Sequence, residues 1–288
     1  MRNSVKALQD QMANLVSRIT GTARLLLRCA TRTSRARPGA WVMEYARKTL
    51  VRLRTHGPAR TAMLCLAGLR DLSGWMAEQW FDCVSGVDTT GREFLYRADG
   101  PPESNPLYLD YQPTPARTVR ALLEQLDAHA ASSTFVDFGS GKGRVLLIAS
   151  QFSFSRVIGV EFDAKLHDTA CRNIRSFRGR RRCPDVTSVL GRAEEFALPA
   201  GDLVLYFFHP FEAGILERTL ENVVRSYREN PRRILLVFFR PSHAAVVERF
   251  EEFRRLPAKP LPFDVVRLSS DYRDVTGTPY GAAIFVTR

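Results

Sequence analysis

Thr134-Phe-Val-Asp-Phe-Gly-Ser-Gly-Lys-Gly-Arg-Val-Leu-Leu-Ile-Ala149 and, shortly after it, Val157-Ile-Gly-Val-Glu161 decide the fold of this chain. In order they read as strand, glycine turn, helix, second strand and terminal acid. Thr134 to Phe138 is a short β-branched and aromatic run, while Gly139, Gly141 and Gly143 allow tight turning and close backbone approach before a helical run from Arg144. Glu161 stands 22 residues beyond Gly139 at the tip of the second strand, where a carboxylate can accept hydrogen bonds from two ribose hydroxyls. Such a unit holds an adenosine-containing cofactor, and the pattern by itself leaves a dinucleotide open.

Two details point away from a dinucleotide. The spacing is Gly-x-Gly-x-Gly, not Gly-x-Gly-x-x-Gly, and Asp137 lies inside the strand two residues before the first glycine. A pyrophosphate favours uncompensated backbone N–H groups, whereas a nearby carboxylate suits a cationic or amino-bearing ligand. Asp137-Phe-Gly-Ser-Gly-Lys-Gly143 and Glu161 resemble the first and second motifs of the class I S-adenosylmethionine-dependent methyltransferases. The resemblance implies S-adenosyl-L-methionine as cofactor. It places the loop of Gly139, Ser140, Gly141 and Gly143 under the methionine part, has Asp137 order that loop and meet the amine directly or through water, and gives Glu161 the ribose.

Working outward, strand and helix patterns alternate. Strands are expected at 134–138, 156–161, 186–190, 202–208, 233–239, 263–269 and 281–287, with helices near 114–128, 143–151, 164–177, 213–229 and 243–255. Thr114 is a candidate cap of the 114–128 helix and Pro115 suits its first turn. Apolar runs such as Leu203-Val-Leu-Tyr-Phe-Phe208 and Ile234-Leu-Leu-Val-Phe-Phe239 suit a sheet covered on both faces. The expected architecture is an α/β, doubly wound, mostly parallel seven-stranded sheet ending in an antiparallel strand pair and preceded by a helical N-terminal region. Such an ending resembles the seven-strand methyltransferase fold.

Three segments are expected at the carboxyl ends of the strands, where ligands bind in open α/β sheets. In Gly191-Arg-Ala-Glu-Glu-Phe196, the resembled family often carries an Asp that meets the adenine amino group. This chain has Arg192 there, which cannot accept a hydrogen bond, so the role falls to Glu194, to the backbone at Ala193, or to water at the adenine edge, and Phe196 is expected to face the core. Tyr206-Phe-Phe-His-Pro-Phe211 is similar to a strand-end motif in which Asn or Asp precedes Pro and an aromatic residue. His209 occupies that place, and a neutral imidazole could accept a hydrogen bond or a proton near neutral pH. Tyr108-Leu-Asp-Tyr-Gln-Pro-Thr-Pro115 resembles the entrance motif of protein-lysine methyltransferases related to Dot1. That likeness implies that Tyr111 packs over the methionine part and that Thr114 binds its carboxylate or caps the helix.

The charge is unevenly placed. Residues 1–60 hold 13 Lys or Arg against Asp10 and Glu44, a net of +11 out of the chain's +12, so residues 61–288 carry +1. The basicity belongs to an N-terminal arm that could meet an acidic protein, an anionic membrane surface or nucleic acid. Val5, Leu8, Met12, Leu15 and Ile19 recur at helical spacing in that arm, which suits packing on the body or lying on a membrane surface. Residues 28–39 read as a connector and 41–53 and 59–84 as further helices. Residues 85–113 are rich in Gly and Pro yet carry Phe94, Tyr96, Tyr108 and Tyr111, so they read as a cap or linker. Three regions result: a basic helical 1–84, the 85–113 cap or linker, and a methyltransferase-like 114–288.

Cys29, Cys65, Cys83, Cys171 and Cys183 are odd in number and scattered, with neither metal spacing nor a disulfide framework, which points to a reducing compartment and to no metal site. The longest apolar piece near the N-terminus, Ala62 to Leu69, is far below the roughly 20 residues needed to span a bilayer. A cytoplasmic protein, or one peripheral to a membrane, is expected. The function these features imply is methyl transfer to an amine, a protein lysine foremost. A small-molecule acceptor and a non-catalytic binding module remain open beside it.

Overall fold

A computed structural model describes residues 77–91, 111–126, 132–208, 213–239, 244–257 and 282–288. The expected arm helices, the 263–269 strand and His209 lie outside the described residues. The chain divides into Met1–Val84 and Ser85–Arg288. Of the first unit the described part is helical from residue 77, and Cys83 within it is disulfide-bonded, although the scattered cysteines showed no disulfide framework in the sequence. Cys171 and Cys183 are free.

The second unit is built on seven strands: β1 Thr134–Phe138, β2 Arg156–Glu161, β3 Val186–Leu190, β4 Leu203–Phe207, β5 Ile234–Phe239, β6 Phe253–Leu256 and β7 Ala282–Thr287. They lie in the order β3-β2-β1-β4-β5-β7-β6. The first five pair in parallel, while β7 runs antiparallel to β5 and to β6. The helices are α1 Ala116–Glu124, α2 Arg144–Ala149, α3 Ala164–Ser176, α4 Ala213–Glu229 and α5 Ala244–Val247. The strand order reverses at β1, whose neighbours are β2 and β4, and a crevice at such a switch point is where ligands bind.

Both faces of the sheet are covered, which is why β1, β4 and β5 are buried at every position and read as unbroken apolar runs. Alternation sends Val136, Phe138, Ile158, Val160, Leu205 and Phe207 into one core with Ile215, Leu220 and Val223 of α4. Phe138 and Phe207 stack at 5.2 Å and Phe207 and Phe238 at 4.6 Å in that layer. By the same alternation Phe135, Asp137, Gly159, Glu161 and Tyr206 project to the opposite face. The sheet therefore separates an apolar side from the side that carries the polar row.

Two expected elements are corrected. The helix expected over 243–255 stops at Val247, and Phe253-Arg-Arg-Leu256 is a strand paired with β7. Phe250 and Phe253 at a three-residue spacing imitate a helical face. What makes a strand of Phe253–Leu256 is the free edge of β7, and the exposed Arg254 and Arg255 suit an outer strand, where charge discourages further pairing. Thr114 does not cap α1: Pro115 occupies the capping position and no side chain caps the helix.

Candidate functional site

The glycine turn is built from backbone conformation. Gly139, Gly141 and Gly143 have φ of 77°, 54° and 82°, a region that side chains penalise, and Gly143 leads directly into α2. At Gly141 space demands glycine as well, since a Cβ there would lie 2.3 Å from the ring of Tyr111. The turn is pinned from below: the Gly139 and Ser140 N–H groups both donate to the Val160 carbonyl, at 2.9 and 3.1 Å.

Glu161 ends β2 where the sequence places it, and its carboxylate is already engaged. Oε2 accepts from the Gly141 N–H at 2.7 Å and Oε1 from the Asp163 N–H at 2.9 Å. Asp163 in turn caps α3, accepting from the Leu166 N–H at 2.8 Å. Burial pushes the Glu161 carboxyl up to about 7, against those two backbone hydrogen bonds. Asp137, 3% exposed, is raised well above the usual carboxylate range by burial first and by neighbouring Glu161 second. A cation placed beside the two acids would favour their ionised forms.

The Tyr111 ring packs against Gly141 of the turn, its hydroxyl donating to the Thr89 carbonyl at 2.7 Å. Residues 85–91 form a strap held to the turn and to α3 by several polar contacts that the sequence did not reveal. Arg144, 2% exposed, donates from Nε to Thr89 Oγ1 at 2.7 Å, and Lys142 Nζ reaches the Thr90 carbonyl at 3.1 Å. Lys142 also lies over the Tyr111 ring at 5.5 Å. Asn173 on α3 accepts from the Asp88 N–H and donates to the Asp88 and Lys142 carbonyls, at 2.8, 2.8 and 2.9 Å. The one available signal was Asn173 itself, a polar residue in the middle of a helix, where amides are disfavoured unless they bond to something.

Ala193 and Glu194 lie on a short 3-10 turn after β3, as expected, with Ala193 buried. The Glu194 carboxylate faces two guanidinium groups, Arg192 at 3.9 Å and Arg218 at 3.7 Å. Phe196 packs on the core and meets Phe138 edge-on at 6.0 Å, as the sequence implied. Thr114 is buried and faces the Tyr206 hydroxyl. The structure thus brings Tyr111, Asp137, Gly139, Ser140, Gly141, Gly143 and Glu161 together at the ends of β1 and β2, with Thr114 beside Tyr206 on the adjoining strand.

These residues fit an amino- and ribose-bearing cation better than a pyrophosphate. The three N–H groups that a phosphate would need, those of Gly139, Ser140 and Gly141, all have internal acceptors. Ser140 Oγ and the Tyr206 hydroxyl are buried without a hydrogen-bond partner, which leaves polar capacity beside Asp137. Among the described residues, no cluster of three or more His, Cys, Asp or Glu is placed to hold a metal ion, and no helix is long and apolar enough to cross a membrane.

The architecture is the seven-strand fold of the class I S-adenosylmethionine-dependent methyltransferases, as the strand order and the antiparallel β7 define it. Solved structures with a similar arrangement include magnesium protoporphyrin IX methyltransferase from Synechocystis PCC 6803, at 11% identity over 60% of this chain and 79% of that one, with a TM-score of 0.43. A putative RNA methyltransferase from Pyrococcus horikoshii is similar at 16% identity, covering 60% and 84% of the two chains with a TM-score of 0.38. A TehB-like methyltransferase from Corynebacterium glutamicum ATCC 13032 is similar at 18% identity, covering 59% and 88% with a TM-score of 0.38. Likeness at this level says nothing of substrate. No protein-family model matches the chain, and no curated protein sequence matches it.

Proposed function

We propose that this protein transfers a methyl group from S-adenosyl-L-methionine to an acceptor nitrogen. The observation that carries the reading is the turn between β1 and β2: its N–H groups are taken by Val160 and Glu161, and two buried acids stand beside it. That combination disfavours a dinucleotide and favours a cofactor with a cationic amino-acid end and a ribose. Asp137 and Ser140 face the amine, Glu161 the ribose, Tyr111 and Thr114 the methionine part, and the turn at Ala193 and Glu194 the adenine edge. With Glu194 held between Arg192 and Arg218, the Ala193 backbone is the better adenine partner of the two.

The cofactor supplies a methyl group that its positive sulfur has already activated. The protein has to position an acceptor with a free lone pair and exclude water. A lysine ammonium must first lose its proton, and we assign His209, just beyond β4, to orient the acceptor or to take that proton. Protein lysine is the acceptor we favour, on the local likeness of Tyr111 to Pro115 to protein-lysine methyltransferases. A compact small molecule is the second reading, and the docked strap of residues 85–91 favours it, because a cap fixed beside the turn narrows the approach.

Isothermal titration with S-adenosylhomocysteine and with NAD, followed by methyl-transfer assays on lysine-rich proteins and on metabolite pools, tests the assignment. Homocysteine-cofactor binding that is much weaker in Glu161→Ala is the expected result. Tight NAD binding with no homocysteine-cofactor binding overturns it.

A further inference from the structure

Asp137 stands between two hydroxyls to which the proposed function gives little or no task. Its registered partners are Gly159 on β2 and Tyr206 on β4, and all three positions share one face of the sheet. Gly159 leaves a seat that Ser140 fills, since a Cβ on Gly159 would lie 2.5 Å from Ser140 Oγ. Ser140 is therefore on the β2 side of Asp137 and Tyr206 on the β4 side. The two residues are 5% and 1% exposed, and neither hydroxyl completes a hydrogen bond.

Tyr206 is the more informative of the two. Its ring is packed near Phe135 at 6.0 Å, and its hydroxyl faces the Thr114 side chain without reaching a hydrogen bond of normal geometry. Phenylalanine would fill the same space and avoid burying an unpaired polar group. Buried polar atoms are nearly always partnered, so an orphan beside a ligand site marks a bond that forms when the site is filled.

Resting on the S-adenosylmethionine reading above, we propose that Tyr206 is a positioning residue whose hydroxyl donates to the Asp137 carboxylate once the cofactor is bound, and so aims that carboxylate at the cofactor's amine. The groups that face Asp137 are Glu161 from β2, Ser140 from the turn, and Tyr206 from β4 with Thr114 beside it. In the free protein, burial and Glu161 favour a protonated Asp137. Binding an ammonium group reverses that preference and releases the proton. A donor on the carboxylate favours the ionised form in the complex and leaves the free protein unchanged. Removing that donor therefore weakens binding most at the higher pH, where the carboxylate is ionised in the complex, and least at lower pH, where the complex forms with Asp137 protonated.

Titration of the full chain with S-adenosylhomocysteine from pH 6 to pH 8.5 tests this in wild type, Tyr206→Phe, Asp137→Asn and the double variant. Tyr206→Phe is expected to bind about tenfold more weakly at pH 8, as loss of a hydrogen bond to a charged group implies. The deficit should narrow toward pH 6, and Tyr206→Phe should cost nothing further in Asp137→Asn. The thermal midpoint of the free Tyr206→Phe protein should equal or exceed that of wild type. Equal affinities at every pH, or a pH-independent loss with a lowered thermal midpoint, would overturn the role of Tyr206. Absence of binding by the wild type removes the cofactor assignment first and this role with it.

Discussion

The Gly141 N–H donates to Glu161 Oε2 at 2.7 Å, so the acid that ends β2 holds the glycine turn that follows β1. With its other oxygen on the Asp163 N–H, the same carboxylate ties the turn to the cap of α3. One side chain thus joins the two motifs that the sequence shows 20 residues apart. The consequence is a set of measurable couplings between the turn, its acids and the strap.

The first is a pH effect on the free protein. The Glu161 carboxyl is raised from 4.5 to about 7 on folding, so the stability linked to its protonated form is fully present below pH 4.5 and lost as pH rises through about 7. Urea unfolding should show wild type losing stability relative to Glu161→Gln across that window. Parallel stability curves for the two proteins would contradict a buried, protonated Glu161.

Gly141→Ala should destabilise the fold by about 2–4 kcal/mol, combining the penalty of a left-handed conformation with overpacking against a fixed ring. The expected clash is with Tyr111, 2.3 Å from the new methyl group, at a φ of 54°. Adding Tyr111→Ala should remove the steric part and leave the conformational part. Denaturant midpoints of the single and double variants separate the two.

Asn173→Ala removes a side chain that makes three hydrogen bonds, two to Asp88 and one to Lys142. Leaving the partner groups unsatisfied should cost about 1–3 kcal/mol in stability. Because the strap is also held by Arg144 and Lys142, hydrogen exchange of residues 85–91 should accelerate more than that of the sheet. Uniform exchange across both would show that the strap is not a separate unit.

For His209 the expected outcome depends on which variant replaces it. His209→Ala should lower methyl transfer with cofactor affinity nearly unchanged, by about 10²- to 10⁴-fold if the imidazole is a general base. His209→Asn should retain substantial activity if the residue only orients the acceptor. Single-turnover rates distinguish them, and wild-type rates in both folded variants remove His209 from the mechanism.

Much of the fold was legible because its signals are local in the chain. β1, β2 and β3 occupy 134–138, 156–161 and 186–190 as the sequence pattern indicated, and α4 spans 213–229 likewise. The glycine turn was readable for the same reason, since left-handed positions within a five-residue turn select glycine whatever surrounds them. β6 was not readable: Phe253 to Leu256 has no strand signal stronger than its helical one, and its pairing with β7 decides the matter. Glu194 looked available for adenine because Arg218, which faces it, is 24 residues away on α4.

The sequence alone determined the sheet's parallel core, the turn and the identity of the two acids, since each depends on periodicity or on the conformational freedom of a few adjacent residues. Tertiary structure decided which groups face those acids. The strap on Tyr111, Lys142 and Arg144, and the unpaired Tyr206 hydroxyl beside Asp137, join residues 22 to about 70 positions apart. Such contacts leave no period in the chain, because they arise from strand register and from the way one face of the sheet is covered.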